Sequence, residues 1–290
     1  MKTNAIVRIL LYSLAILILS SILLGVICYK TLISDNEAYY SGHEELEAAV
    51  ESMQMDFAGQ QVRNIEIEWV AGSITIHKGK DIDNIHVEEY SSGKTIHRML
   101  CRVSGQTLKI QFSEDSIKRF GPLSNERISK NLVITVPENW KCNAIEIDAA
   151  ASEVDIHDLI ITELDFDGAS GTLLLDNCNI KELDIDTASG DVEFTGHLEE
   201  LSFDAASAKF YGEFLHTPDH LVLNTLSGNL EIILPEDSGF TLDLDTMSGS
   251  LDSDFTYGKH EDTYICGDGT CSITVSAMSG DVQILKGVEK

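Results

Sequence analysis

Basic residues are scarce in this chain. Twenty Lys and Arg stand against 48 Asp and Glu, a formal charge of -28 over 290 residues. A nucleic-acid binder needs a basic footprint against phosphate, so direct nucleic-acid binding is excluded. Proline occurs four times and aromatic residues make up 7%, so the core is not built on large rings. No G-x-S-x-G nucleophile turn, C-x-x-C pair or zinc-ligand spacing is present. What the chain does have is 21 glycines and a hydrophobic content of 43%. That is enough apolar surface to exclude wholesale disorder, and it suits a repetitive fold of small and aliphatic residues.

The twenty residues from Ile9 to Cys28 carry no charge, and only Tyr12, Ser13, Ser20 and Ser21 among them are polar. As a helix they span a hydrocarbon core of about 30 Å. The alternative is a cleaved signal peptide, whose apolar core is usually about 7–15 residues and ends at small side chains. Here Gly25-Val26-Ile27-Cys28 puts bulky residues before the cysteine, which favours an uncleaved signal anchor. Lys2, Arg8 and the amino terminus precede the segment, whereas Lys30 is followed by Asp35, Glu37, Glu44 and Glu45. Positive-inside asymmetry then leaves residues 1–8 in the cytoplasm and the C-terminal domain outside. The expectation is a single-pass cell-membrane protein.

The second half is repetitive. The segment Leu183–Phe194, LDIDTASGDVEF, recurs with starts at Ile145, Leu164, Leu183, Leu201, Leu221, Leu242 and Ile273, and an outlying copy starts at Ile65. In most copies positions one and three are apolar with polar residues between, the alternation of a half-buried strand. Position ten is apolar in all eight copies, position seven is Ser in six, and position eight is Gly in six, with Ser152 and Ala208 in the others. Because alanine is costly where φ must be positive, the Ser152 and Ala208 exceptions suggest a crowded corner that admits only small side chains. Two short strands, a corner and a return in 18–21 residues describe one coil of a parallel β-solenoid, with coils stacked to bury a common core. An antiparallel sandwich also fits short strands with turns. Recurrence of the same residue classes at the same phase favours the solenoid.

The expected organisation follows: tail 1–8, anchor 9–28, a juxtamembrane segment 29–61, an irregular β part 62–144, and a regular acidic solenoid 145–286. Within 29–61, Leu46, Ala49, Val50 and Met53 predict a short helix over Glu44–Phe57 that caps the first coil. The charge is unevenly divided. Residues 62–144 carry twelve basic and ten acidic side chains; residues 145–290 carry five lysines, no arginine and 31 acids.

Position four reads Asp148, Asp167, Asp186, Asp204, Asn224 and Asp245 in successive coils. Stacked in order, they form one ladder with a spacing of about 4.8 Å. Neighbouring charges there repel by about 0.9 kcal/mol at water's dielectric and about 3.5 kcal/mol at an effective value of 20. Either the carboxylates accept backbone N–H groups of their own corners, or Ca²⁺ is held between coils by Asp148, Asp167, Asp186, Asp204 and Asp245. No other cofactor is implied. Cys266 and Cys271 flank Gly-Asp-Gly-Thr and are a candidate disulfide in an oxidising exterior. Cys101, Cys142 and Cys178 read as buried thiols. Pro218 between His216 and His220 argues against a helical zinc pair.

The stops VITVPENW (133–140) and IILPEDSGFTLDLDTMSGSL (232–251), with the end GDGTCSITVSAMSGDVQI (267–284), resemble a bacterial family of putative adhesins of unknown function that includes LiaG-like envelope proteins. The likeness covers about residues 62–286. It implies an anchored β-solenoid outside the membrane, tied to adhesion or envelope stress, with no catalytic residues. The chain is thus expected to be a non-enzymatic envelope protein that offers an acidic face to wall polymers, cations or another protein. The alternatives are a sensor acting through a membrane partner and, third, a β-helix enzyme acting on polysaccharide. A lyase of that kind needs basic groups in a positive groove, which the regular coils lack.

Overall fold

The computed structural model describes residues 52–59, 61–91, 98–113, 129–260 and 263–287. The anchor segment 9–28 lies outside them, and no helix among the described residues is long and apolar enough to cross a membrane. Every regular element described is a strand, and all sixteen join in one hydrogen-bonded system.

Each coil contributes two strand segments joined at the Ser-Gly corner. The first segments stack into one sheet and the second segments into another. Ile65 pairs with Ile145, Ile145 with Leu164, and Leu201 with Leu221, all parallel. Between them the chain runs unbroken as extended backbone through Ile160–Phe214, 55 residues containing the Leu164, Leu183 and Leu201 coils. Alternation decides which side is buried: Leu164, Phe166, Leu173 and Leu175 point into the core, and Leu183, Ile185, Val192 and Phe194 repeat the arrangement one layer on. The repeating coil is therefore a parallel, solenoid-like stack, as the sequence predicts.

The corner glycines are required by the backbone. Gly72, Gly171, Gly190, Gly228, Gly249 and Gly280 have φ between 119° and 155°. A Cβ at Gly171 would overlap the Ser152 carbonyl, and one at Gly190 the Gly171 carbonyl. The crowded-corner expectation is thus corrected in part. Six corners need positive φ and the absence of a side chain together. Ser152 and Ala208 are not among the positive-φ residues, so those two corners turn with a different backbone. Serine at position seven ties the layers: Ser170 Oγ donates to Ala150 O at 3.4 Å and Ser189 Oγ to Ala169 O at 3.3 Å.

The order of the last coils departs from the sequence order. Ile273 pairs with Leu221 on one side and with Leu242 on the other, and Val282 lies between Leu230 and Leu251. The C-terminal coil is inserted between two earlier ones. The corner glycines agree: a Cβ at Gly280 meets Gly228 O, and one at Gly249 meets Gly280 O. Burial supplies the reason. Ile273, Val275, Ala277, Val282 and Ile284 are all fully buried, whereas the Leu242 coil offers half-buried Leu244, Thr246, Leu251 and Ser253. The more apolar coil takes the interior place and the more polar one the end.

Further strands extend both ends: Lys130–Pro137 and Thr107–Gln111 pair parallel with the first coil, and the strands beyond them run antiparallel. Ser52–Ala58, Asn84–Ser91 and Lys130–Pro137 continue the second sheet beyond Ile74, and the hairpin Leu100–Ser104 with Thr107–Gln111 continues the first beyond Ile65. The helix expected over 44–57 is corrected here, because Ser52–Ala58 is a strand on Asn84–Ser91. Met55 and Phe57, two apart, pack against the core, and period two outweighs the helical spacing upstream. Residues 44–51 lie outside the described residues. At the other end Thr263–Cys266 and Tyr257–His260 cover the Leu242 coil antiparallel.

Candidate functional site: an acidic strip on the first sheet

With positions one and three buried, positions two and four of each coil stand on the outer face of the first sheet. Stacking aligns them into two columns. Glu66, Glu146 and Asp165 follow one another at position two; Glu68, Asp148 and Asp167 do so at position four. Asp184, Asp186 and Asp204 continue the strip on the next two coils. It is bounded at both ends. Lys109 forms an ion pair with Glu66, and Gln111 Nε2 donates to Glu68 at 3.0 Å. At the far end Asp204 faces Asn224, and Asn224 faces Ser276.

The single ladder expected from Asp148 to Asp245 is therefore corrected. Asp148, Asp167, Asp186 and Asp204 stay in the strip, while Asp245 pairs with Ser276 beyond the inserted coil.

Loss of water among the stacked coils raises the acid strengths' midpoints, and neighbouring carboxylates raise them further. Asp165 is pushed up to about 6, first by desolvation and then by Asp167, Asp184, Glu146 and Glu163. Asp186 is pushed up to about 7, by desolvation and then by Asp204, Asp167, Asp184 and Asp165. Asp167 rises by desolvation, then by Asp184 and Glu146; Asp204 rises by desolvation against a lowering hydrogen bond from Asn224. Backbone N–H capping would have lowered these values, so the corner-capping account does not fit the position-four Asp167 or Asp186. Among the described residues no three His, Cys, Asp or Glu side chains converge to hold a metal ion.

Cys266 and Cys271 are both buried free thiols. They do not face each other: both pair with Phe240, from opposite sides of its strand. Two strand spacings put their Cα atoms about 10 Å apart, beyond disulfide reach. The four-residue link reads as a hairpin in sequence, but it steps over the end of a third strand. Cys101, Cys142 and Cys178 are buried free thiols as expected, and burial pushes them up to about 12, 12 and 11. His216 lies against His197, ring centroids 4.1 Å apart and planes tilted by 41°.

Two features escaped the sequence reading. Lys130 and Glu89 form a buried ion pair, Nζ to Oε2 at 2.8 Å, with residue exposures of 0% and 2%. Lys130 Nζ also donates to Phe112 O at 2.6 Å and lies over the Phe112 ring, while Glu89 Oε2 accepts Met99 N–H at 2.8 Å. The partners are 41 residues apart, and no local pattern links them. The second is a histidine row on the outer face of the second sheet. His86 contacts Asp56, Thr135 Oγ1 lies 3.4 Å from His77 Nε2, and His157 reaches Asp155 at 2.7 Å and Asp176 at 3.7 Å. His77 and His157 each follow the buried isoleucine at position twelve of their copies, so comparing position thirteen would have found them.

The stacked coils, with an outer face of carboxylates, define a solenoid-like repeat protein. The chain belongs to the Toastrack DUF4097 family, matched over residues 62–285. It is similar in structure to a putative adhesin from Bacteroides fragilis, with 13% identity and TM-score 0.45 over 82% of this chain and 97% of that one. It is also similar to a putative cell adhesion protein from Clostridium sporogenes, with 13% identity and TM-score 0.37 over 82% and 100%. A third similar structure is a putative lipid binding protein from Parabacteroides distasonis, with 12% identity and TM-score 0.35 over 82% and 97%. At these identities they carry no functional information. No curated protein matches the chain.

Proposed function

We propose that this is a non-catalytic, adhesin-like protein of the cell envelope. Residues 9–28 anchor it, the N-terminus is cytoplasmic, and the solenoid outside offers its acidic strip to cationic groups of a wall polymer, a divalent ion or another envelope protein. The observation that supports this is the strip itself. Carboxylates from four consecutive coils share one face; desolvation first and then neighbouring carboxylates disfavour their charged forms, and a cationic partner would offset both. Such a surface binds by charge, without turnover.

The test is retention of the purified full chain on isolated cell envelopes, with and without Asp165, Asp167, Asp184 and Asp186 changed to Asn. Retention should fall at least roughly tenfold in the variant and fall with salt in the parent. Equal retention of both proteins would end this reading. Loss of the parent's binding on chelation alone would single out the divalent ion.

A further inference from the structure

Residues 240–287 form a unit that meets the rest of the protein along one seam. Phe240–Ser248 pairs with Cys271–Ser279 and Thr263–Cys266; Leu251–Ser253 pairs with Val282–Lys286; Tyr257–His260 pairs with Thr263–Cys266. Among the described residues, the Leu242 coil has no strand pairing with anything before residue 239. Among the described residues, the strand pairing that joins the unit to the earlier coils is Cys271–Ser279 on His220–Ser227 and Val282–Lys286 on Leu230–Leu234, with flanking hydrogen bonds such as Asp281 N–H to Asn229 Oδ1. One covalent link, residues 235–239, connects the two bodies. It begins with Pro235 and ends with Gly239, and it must carry the chain past a whole coil before Phe240 is placed.

We infer that this unit is exchangeable: residues 240–287 of one molecule dock on the His220–Ser227 and Leu230–Leu234 edge of a second copy, and reciprocally. The seam consists of in-register parallel backbone pairing, with Ile273, Val275, Val282 and Ile284 buried along it. A second copy offers the same register and the same side chains, so exchange creates no new interface and needs only a straightened link. Nothing threads through a closed loop, because the chain crosses the seam once. The monomer-closing link is under the tighter constraint, since it spans two strand spacings, about 9.6 Å, besides the turn.

Ser227 and Ser279 are exposed partners across the seam, at a Cα spacing of about 4.8 Å that a disulfide can bridge. The full chain carrying Ser227→Cys and Ser279→Cys is unfolded, refolded over a roughly hundredfold range of concentration, oxidised and run without reductant. Exchange predicts a covalent dimer whose share rises with concentration and which reductant resolves. A second variant also lacks Glu236 and Asp237, which shortens the link so that closure on the same molecule fails; it should be dimeric at every concentration, with the bond between chains. If the full-length pair cross-links only within single chains at every concentration, the inference is wrong. It is equally wrong if the shortened variant remains a folded monomer with its bond inside the chain.

Discussion

The two halves of the domain handle charge in opposite ways. The part before Ile145 is nearly balanced in sign, and it encloses Lys130 against Glu89 among Phe112, Trp69 and Met99. Among the described residues, the coils from Ile145 onward enclose no such pair and hold their carboxylates outside in columns. In the first half desolvation lowers the Lys130 midpoint and raises that of Glu89, with the partner's charge opposing the shift on each. In the second half desolvation and neighbours act together on Asp165, Asp167 and Asp186. A buried charge is held by its partner, and removing that partner is costly; a repeated surface charge is held by covalent repetition alone, and removing it is favourable.

Breaking the first arrangement should have the largest effect. Lys130→Met leaves Glu89 buried without its cation and should cost about 3–5 kcal/mol in urea unfolding. Adding Glu89→Leu should return most of that loss, because two apolar groups replace the pair. A single-variant loss below about 1 kcal/mol would mean that water reaches the pair.

The coil corners give the next effect. Gly190→Ala places a Cβ on the Gly171 carbonyl at φ 139°, and it should cost about 2–3 kcal/mol. Ala208→Gly, at a corner that turns without positive φ, should cost less than about 1 kcal/mol. Equal losses would show that the two corner types are interchangeable.

The smallest effect sharpens the charge comparison. Asp165 and Asp186 have folded midpoints above their unfolded ones, so the folded state takes up protons first as pH falls. Their destabilising contribution is absent near pH 4, grows through about 6 and 7, and is complete above that. Asp165→Asn with Asp186→Asn should therefore raise the melting temperature by about 2–4 °C at pH 8 and leave it unchanged at pH 4. A loss at pH 8 would instead mean that these carboxylates are ligands. Melting the parent in Ca²⁺ and in NaCl of equal ionic strength separates that case from screening.

Much of this was readable in the chain. Alternation of Leu164, Phe166, Leu173 and Leu175 against polar neighbours names the buried face, because side chains on a strand point alternately to its two sides. The spacing of Ile145, Leu164 and Leu183 gives the coil length, and the position-four acids up to Asp204 form one of the strip's two columns; the position-two column was not singled out. The Lys130–Glu89 pair was hidden, since its members come together only when distant segments stack, whereas His77 and His157 recur at position thirteen and only His86 joins them through tertiary pairing. Cys266 and Cys271 misled for a related reason. Closeness in sequence suggested a hairpin, yet Phe240 lies between their strands.

The sequence by itself determined the coil: its period, its buried face, its glycine corner and its acidic exterior are all local properties of eighteen to twenty-one residues. Only the tertiary structure decided the order of the coils. The Leu221 coil offers its neighbour the same backbone hydrogen bonds whether the Leu242 or the Ile273 coil comes next, so the choice falls to the side chains. Burying Val275, Val282 and Ile284 between two layers is worth more than burying Thr246 and Ser253 there, and the last coil of the chain takes the place before the one that precedes it.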